Sequence, residues 1–501
     1  MITLDFDIAV VGGGFSGTLT ATILAKQGRS VLLVDRNKQP RFAIGESSVP
    51  AGNLVLASLA DRYELSDIRP LAKYGSWKQN KPGLACGLKR GFSYFFHSTG
   101  ADFDPGHNHE NELLVAASSS DALGDTHWFR EEVDFLFLKT AIGAGVTVHG
   151  GTTVDSMSHQ GGHWQLELGS GVSVKAKWVI DASGRRQVTS KLLGQDSDDP
   201  MSDSRATGLL HTNTSAIYSH FEDVSSWQAW MAQSHDGSKE YPFNSDHSAQ
   251  HHILDDRWLW LLRFDNGITS AGLVIPNIES HPKDVAETWD TTINQYPSVK
   301  CLFQSATLAS TPRKLIGAGR MQFLNRPLQV EGLVRLPSAF GFIDPLHSTG
   351  IAHNLIAIER TVLAMEQHWG TSSLQTTLHE HEFLQFEEFL VSDLMIDTAY
   401  KCMNSPFAFE VATMLYFAAA IRYEENRLHQ NDASMGFLCA HEPFWKSAVE
   451  EVHAMCAELE LAESKNQRKL ESHVRNLIEP YNTAGLCRTD LNSMYAYTAA
   501  E

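Results

Sequence analysis

The chain has 501 residues, 43% of them hydrophobic and 20% charged, which points to two or three folded domains and excludes long disordered stretches. Its formal net charge is −19, from 59 acidic against 40 basic residues; such a field repels phosphate backbones and anionic bilayers, so neither nucleic acid nor a membrane is an expected partner. The six cysteines, at 86, 301, 402, 439, 456 and 487, form no C-x-x-C pair, which reads as six separate thiols in a reducing compartment rather than a zinc site or redox dithiol.

Phe6 to Val11 is a short apolar run of the kind a buried parallel strand shows. No basic leader precedes it and no run of about 18 apolar residues occurs anywhere, so a cytoplasmic protein is expected. Glycines follow, then a helical stretch from about Phe15 to Gln27 with Leu19, Ile23 and Leu24 at helical spacing and Gly28 as C-cap. Ser30 to Val34 is a second buried strand and completes a βαβ opening. His149 to Val174 reads as strands with glycine turns, and Trp178 to Asp181 as a buried strand ending in an acid. A mainly antiparallel sheet is expected from Ser204 to about Arg326, with a hairpin over Trp258 to Pro276 turning at Asp265-Asn266-Gly267. From Thr349 onward the pattern is helical: Ile351 to about Trp369, Phe383 to Tyr400, Ala408 to Leu428 and Pro443 to Leu477, with the last twenty residues expected as a weakly packed tail. Phe383, Phe386, Phe389, Met395, Tyr400 and Phe407 are candidates for a pocket wall, against the plainer reading of helix–helix core.

Gly12, Gly14 and Gly17 occupy the glycine places of G-x-G-x-x-G between the first strand and helix, and Asp35 ends the next strand eighteen residues after Gly17. Gly12 permits the tight turn, Gly14 lets a pyrophosphate approach the backbone, and Gly17 lets the helix pack close to the sheet. The helix N-terminus offers free N–H groups to phosphates, and Asp35 can accept from both ribose hydroxyls.

Further segments separate FAD from NAD. Arg41-Phe42-Ala43-Ile44-Gly45-Glu46-Ser47, Arg130 ahead of Asp134-Phe135, Asp181-Ala182-Ser183-Gly184-Arg185 and Gly341-Phe342-Ile343-Asp344-Pro345 together resemble the FAD-binding framework of the aromatic hydroxylase superfamily. The resemblance covers roughly residues 1–50, 125–190 and 330–370. It implies an α/β fold: a Rossmann-like FAD-binding domain (1–200 with 325–370), an inserted antiparallel β-sheet substrate domain (201–324) and a C-terminal helical region (371–501). The FAD contacts it implies are Gly12, Gly14, Phe15, Ser16, Gly17, Asp35, Arg36, Arg41, Glu46, Ser47, Arg130, Asp181, Ser183, Gly184, Ser338, Gly341, Asp344, Gly350 and Ile351.

Within that superfamily the chain most resembles the flavin-dependent halogenases, through RFAIGESSVP at 41–50, Lys73-Tyr74-Gly75, FIDPLHSTG at 342–350, and Trp258-Leu259-Trp260 at the start of a W-x-W-x-I-P-like segment. The resemblance implies that reduced FAD, oxygen and chloride or bromide yield hypohalous acid, which Lys73 delivers to an electron-rich phenol- or pyrrole-like ring, free or carrier-bound. A lysine suits the task as a cationic donor, or as a nucleophile once desolvated. Ser348, Thr349 and Gly350 lie just before the helix at Ile351, where free N–H groups make a halide site or support the reduced flavin. No second strand–G-x-G-x-x-G–helix unit is present, so a separate flavin reductase is an expected partner.

Three departures bear on the chemistry. The W-x-W-x-I-P proline is Arg263, the superfamily's Gly-Asp pair is Pro337-Ser338, and a glutamate of the tryptophan halogenases is His347, a candidate acid or base that reads more readily as structural. Halogenases acting on phenols or carrier-bound pyrroles lack that glutamate. The alternatives are an FAD-dependent monooxygenase or oxidoreductase on an aromatic or polyene substrate, and a non-catalytic flavin-binding protein. His107/His109 and His251/His252 lack H-E-x-x-H spacing, so no metal is expected.

Overall fold

The computed structural model describes residues 3–194, 209–276, 284–328, 330–429 and 435–496. Its first sheet runs in the order Thr147–Gly150, Val31–Asp35, Thr3–Val11, Ser173–Asp181, His163–Leu168 and Val154–Gln160, with Leu333–Arg335 also pairing Ser173–Asp181. Thr3–Val11 lies parallel to both Val31–Asp35 and Ser173–Asp181. Ile8, Ala9, Val10, Leu32 and Leu33 are fully buried, as strands covered on both faces require. Ile8 and Val10 pack with Leu19 and Ile23 of the Phe15–Lys26 helix, while Ala9 and Val11 pack with Trp164 and Leu166.

The second sheet runs Thr307–Leu308, Thr214–Glu222, Ile268–Pro276, Arg257–Arg263, Ala249–Leu254, Gly91–His97, Glu112–Ala116 and Met494–Tyr495. The expected hairpin forms, with Gly267 at φ +83° in its turn. The membership differs from a self-contained 201–324 unit. Gly91–His97 pairs in parallel with Ala249–Leu254, so residues 91–116 join this sheet and not the first. That seam joins strands some 150 residues apart, and no local pattern encodes such pairing. The expected tail is also corrected: Met494–Tyr495 pairs with Glu112–Ala116, and Ser493 Oγ and Tyr495 OH donate to Glu410 at 2.7 and 3.1 Å.

The helical region comprises Ser373–Lys401, Pro406–His429, Pro443–Glu458 and Ser464–Ile478. The single helix expected over Pro443 to Leu477 breaks after Glu458, where Leu459 turns extended (φ −86°, ψ 135°) without a glycine or proline to announce it. Two buried, bidentate ion pairs clamp these helices onto Gly350–His368: Arg360 with Glu388 (2.6 and 3.0 Å) and Arg427 with Glu359 (both 2.8 Å). Removing one partner from such a pair costs roughly 3–5 kcal/mol, so Pro406–His429 is firmly seated. No described helix is long and apolar enough to cross a membrane.

Candidate active site

A continuous cavity of ≈ 560 Å³ extends from the glycine turn, past Asp35 and Arg41, to the loop ahead of Gly350–His368 and on to Trp258 and Trp260. At its first end Gly12 sits at φ +115°, and a Cβ there would collide with the Ala182 carbonyl; one on Gly17 would collide with the Gly12 carbonyl. Gly12, Gly14, Phe15 and Ser16 line the cavity, whereas Gly17 serves the helix–strand contact alone. Asp35 Oδ2 accepts from the Gly13 N–H at 2.6 Å, bracing the turn while its side chain edges the cavity with Arg36.

Arg130 lines the cavity and at the same time braces the protein around it. It makes a bidentate pair with Asp134 (2.8 and 3.0 Å) and donates to the carbonyls of Ile44 and Gly45 (2.9 and 2.8 Å), fixing the 41–47 segment against the turn. On that segment Arg41, Glu46 and Ser47 line the cavity, and Arg41 Nε, Glu46 Oε2 and Ser47 Oγ are buried without a protein partner. Ser183 and Gly184 line it as well. Asp181 does not. Its carboxylate accepts from the N–H groups of Ser183 and Thr189 (2.8 and 2.9 Å) and from Thr189 Oγ1 (2.6 Å), so it shapes the loop from beneath instead of contacting the expected cofactor.

At the other end Ser338, Gly341, Asp344, Ser348, Thr349, Gly350 and Ile351 all face the cavity. No side chain caps the N-terminus of Gly350–His368, nor that of Phe15–Lys26, so both ends aim free N–H groups and positive dipole at the same space. Asp344 is drawn into a network: Thr214 Oγ1 and Tyr400 OH donate to Oδ2 at 2.7 and 3.0 Å, and Trp258 Nε1 donates to Tyr400 OH at 2.7 Å. Burial pushes the Asp344 carboxyl up to about 6. Trp260 packs its ring where any Cβ on Gly272 would sit. Arg263 points away, donating to the Val224 carbonyl at 2.9 Å and pairing with Asp246 at 3.2 Å, so its place in the W-x-W segment leaves both tryptophans on the cavity wall.

Two uncapped helix ends, a glycine cradle with no room for side chains and orphaned polar atoms along the wall fit FAD. The residues placed to hold it are those of the glycine turn, Arg41, Glu46, Ser47 and the loop at 341–351.

Lys73 lies outside this cavity. It precedes the Tyr74–Asn80 helix, and Tyr74 and Gly75 donate to the carbonyls of Gly124 and Ala122, both at 2.9 Å. A Cβ on Gly75 would meet the Ala122 oxygen at 2.7 Å, which is why glycine stands there. This tie sets Lys73 beside Asp125. Asp125 is buried opposite Lys89 in the Cys86–Lys89/Asp125–Trp128 ladder and accepts from Asn53 Nδ2 at 2.7 Å. Lys89 is fully buried and donates to the Ser48 carbonyl at 2.7 Å. Glu424 arrives from Pro406–His429 and accepts from the Ala51 N–H at the start of Pro50–Arg62. Lys73 acts electrostatically on both carboxylates. Burial raises Asp125 and lowers Lys89; burial, reinforced by Asp125, pushes Glu424 up to about 8.

Around these groups Asp125 Oδ2, Asn53 Oδ1, His127 Nδ1, Tyr94 OH and both His347 ring nitrogens are buried without a protein partner. His347 stacks on Tyr416 with ring centroids 4.1 Å apart, and Tyr416 OH donates to the His347 carbonyl at 3.0 Å. Burial holds the imidazole down at about 3, neutral at working pH. His347 therefore packs on Tyr416 behind the 341–351 loop and is absent from the cavity wall.

Sequence reasoning missed Tyr218 and His251 on the cavity wall and Lys89, Asp125 and Glu424 in the buried charge cluster. A lysine closing the otherwise uncharged strand Cys86–Lys89 was the one available signal. Of the helical side chains expected to line a pocket, Phe389 does so; Phe383 and Phe407 are 50% and 36% exposed, and Tyr400 reaches the site through its hydrogen bonds with Asp344 and Trp258. Among the described residues His211, Asp397 and His453 bring ligand atoms within 4.8 Å of one another. Lys401 Nζ already sits 2.6 Å from the Asp397 carboxylate and supplies the positive charge there.

The family description "FAD dependent oxidoreductase" matches residues 7–234. Over 371 residues, 70% of this chain, the sequence is 27% identical to monodechloroaminopyrrolnitrin halogenase PrnC of Pseudomonas fluorescens, and the match spans 60% of that protein. Over 412 residues it is 24% identical to tetracycline 7-halogenase of Kitasatospora aureofaciens, covering 77% of this chain and 71% of that protein. The chain thus spans less than two thirds of the length of the first of these relatives. The crystal structure of halogenase PltM in complex with phloroglucinol and FAD superposes with a TM-score of 0.85 at 22% identity, covering 99% of this chain and 100% of that one, which shows a shared fold. Residues 7–234 thus match an FAD-dependent oxidoreductase domain, and the chain is similar to flavin-dependent halogenases over about seven-tenths of its length.

Proposed function

We propose that the protein is a flavin-dependent halogenase that uses reduced FAD, oxygen and chloride or bromide to halogenate an electron-rich, phenol- or pyrrole-like ring, free or carrier-bound. The observation that carries this reading is the cavity that joins the glycine turn to the 341–351 loop and the two tryptophans, with Lys73 outside it in electrostatic reach of the buried Asp125 and Glu424. When bound and reduced, FAD supplies the oxygen chemistry that turns halide into hypohalous acid. The chain's own residues do the rest. Thr349 and Gly350 offer backbone N–H groups to the halide at the helix end, while Ser348, whose N–H donates to the Pro345 carbonyl, shapes the turn that presents them. Trp258, held by Tyr400, and Trp260 wall the flavin side from the substrate and exclude water. Lys73 presents its ammonium to the neutral hypohalous acid as a hydrogen-bond donor, sharpening its electrophilic halogen.

A separate flavin reductase in a cytoplasmic setting supplies the reduced FAD in this proposal. Direct monooxygenation gains no support from Arg263, whose guanidinium is engaged away from the cavity. The experiment is anaerobic reduction of the FAD-loaded protein followed by oxygen and chloride or bromide against a panel of phenols and pyrroles. The expected product gains halogen in proportion to halide; a product gaining only oxygen, independent of halide, overturns the reading.

A further inference from the structure

Strand Thr214–Glu222 of the second sheet borders the cavity along one of its faces. Successive side chains of a strand alternate between faces. Ile217 and Phe221 pack into the core of the second sheet, which leaves Thr214, Ala216, Tyr218 and His220 on the other side. Ala216 and Tyr218 line the cavity themselves. The two residues at the ends reach it through carboxylates that line it. Thr214 Oγ1 donates to Asp344 Oδ2 at 2.7 Å, and His220 Nε2 lies 2.7 Å from Glu46 Oε1. A carboxylate oxygen accepts, so the imidazole Nε2 carries the hydrogen. Six residues of strand span about 20 Å, so one strand holds a carboxylate at each end of the stretch it borders.

Glu46 is fixed from several sides. Its carbonyl accepts from the Trp128 N–H at 2.7 Å, and the Gly45 carbonyl before it accepts from Arg130 at 2.8 Å. The His220 ring is itself clamped by three phenyl rings, with centroids at 4.9 Å from Phe42, 5.5 Å from Phe129 and 5.9 Å from Phe264. With Oε1 taken by His220, Glu46 Oε2 is left buried without a protein partner on a residue that lines the cavity. A buried carboxylate oxygen costs free energy until a donor meets it.

We propose that His220 is a positioning residue for the cofactor: it holds Glu46 Oε1 so that Oε2 is presented to a hydrogen-bond donor, a hydroxyl or N–H group, of bound FAD. This rests on the assignment of FAD to the cavity and not on halogenation. Cofactor affinity then depends on a side chain of the second sheet that does not itself line the cavity.

The test is the dissociation constant of oxidised FAD for the full chain freed of flavin, read by flavin fluorescence. Wild type is compared with His220→Leu, His220→Gln, Glu46→Ala and the double variant His220→Leu with Glu46→Ala. His220→Leu should weaken FAD binding about 10-fold, the size for a lost hydrogen bond to a charged group. His220→Gln, whose amide nitrogen can take the place of Nε2, should bind close to wild type. In the Glu46→Ala chain, adding His220→Leu should cost nothing further, because the two residues act as one unit. If His220→Leu does not fold, His220→Gln against His220→Asn decides, since the shorter amide falls short of Glu46. The proposal is overturned by wild-type affinity in His220→Leu, by a His220→Gln no better than His220→Leu or His220→Asn, or by the same loss with and without Glu46. Oxidised FAD binds without halide, oxygen or ring substrate, so a protein that does not halogenate still gives the answer. A wild type that takes up no FAD overturns this proposal together with the cofactor assignment.

Discussion

The glycine turn at 12–17 and the buried charge cluster near Lys73 are made in opposite ways. The turn is local and backbone-built: six consecutive residues, one strand and one helix supply its N–H groups, and absent side chains make its room. The cluster draws Asp125, Lys89 and Glu424 from two strands and a distant helix, and its parts are buried charges. A backbone site tolerates sequence drift everywhere except at its glycines. A side-chain site depends on every element that delivers a charge to it.

The largest expected effect tests the second half of that contrast. Lys73→Ala should lower halogenation by about 100-fold or more, the range for loss of a catalytic proton donor, while reduced FAD still consumes oxygen. Product yield measured beside oxygen uptake checks it, and unchanged yield removes Lys73 from its role. Next comes the backbone site. Gly12→Val meets both the positive φ and the Ala182 carbonyl, so FAD affinity should fall by about 100-fold, the equivalent of roughly 2.8 kcal/mol; flavin fluorescence titration reads this directly.

A smaller effect probes the wall between the two regions. Tyr400→Phe deletes the hydroxyl that joins Trp258 to Asp344, at about 1 kcal/mol per lost bond. The halogenated product formed per reduced FAD should drop a few-fold, with FAD binding intact. The smallest is a stability signature of the charge cluster. Burial holds the Glu424 carboxyl above its ordinary 4.5, at about 8. The fold therefore keeps a proton that the unfolded chain releases, and this stabilisation is full below about pH 4.5 and lost as pH rises through 8. Glu424→Gln should flatten the decline of Tm across that window by a few degrees, measurable by scanning fluorimetry; parallel wild-type and variant curves contradict it.

How much of this was readable in advance differs between the regions for the same reason. The βαβ opening, the glycines and Asp35 were legible because each is dictated by neighbours in sequence. So was the hairpin at Asp265-Asn266-Gly267. The resemblance to known halogenase segments pointed to Lys73, yet gave no hint of Asp125, Lys89 or Glu424. Asp181 and Arg130 show the limit from the other side. Their motifs marked both as cofactor contacts; the fold commits the Asp181 carboxylate to its own loop, whereas Arg130 both braces the 44–45 carbonyls and Asp134 and lines the cavity.

By itself the sequence determined the cofactor-binding opening, the class of fold and the helical character of the chain after residue 349, since these follow from residue spacing and backbone preference, though not the break at Leu459. Tertiary structure alone decided that residues 91–116 join the second sheet, that the chain's last described strand closes its edge, and that Asp125 and Glu424, some 300 residues apart, are buried within electrostatic reach of one another. Charge pairing across hundreds of residues leaves no periodic trace in a sequence. It exists only once burial removes the water that would otherwise screen it.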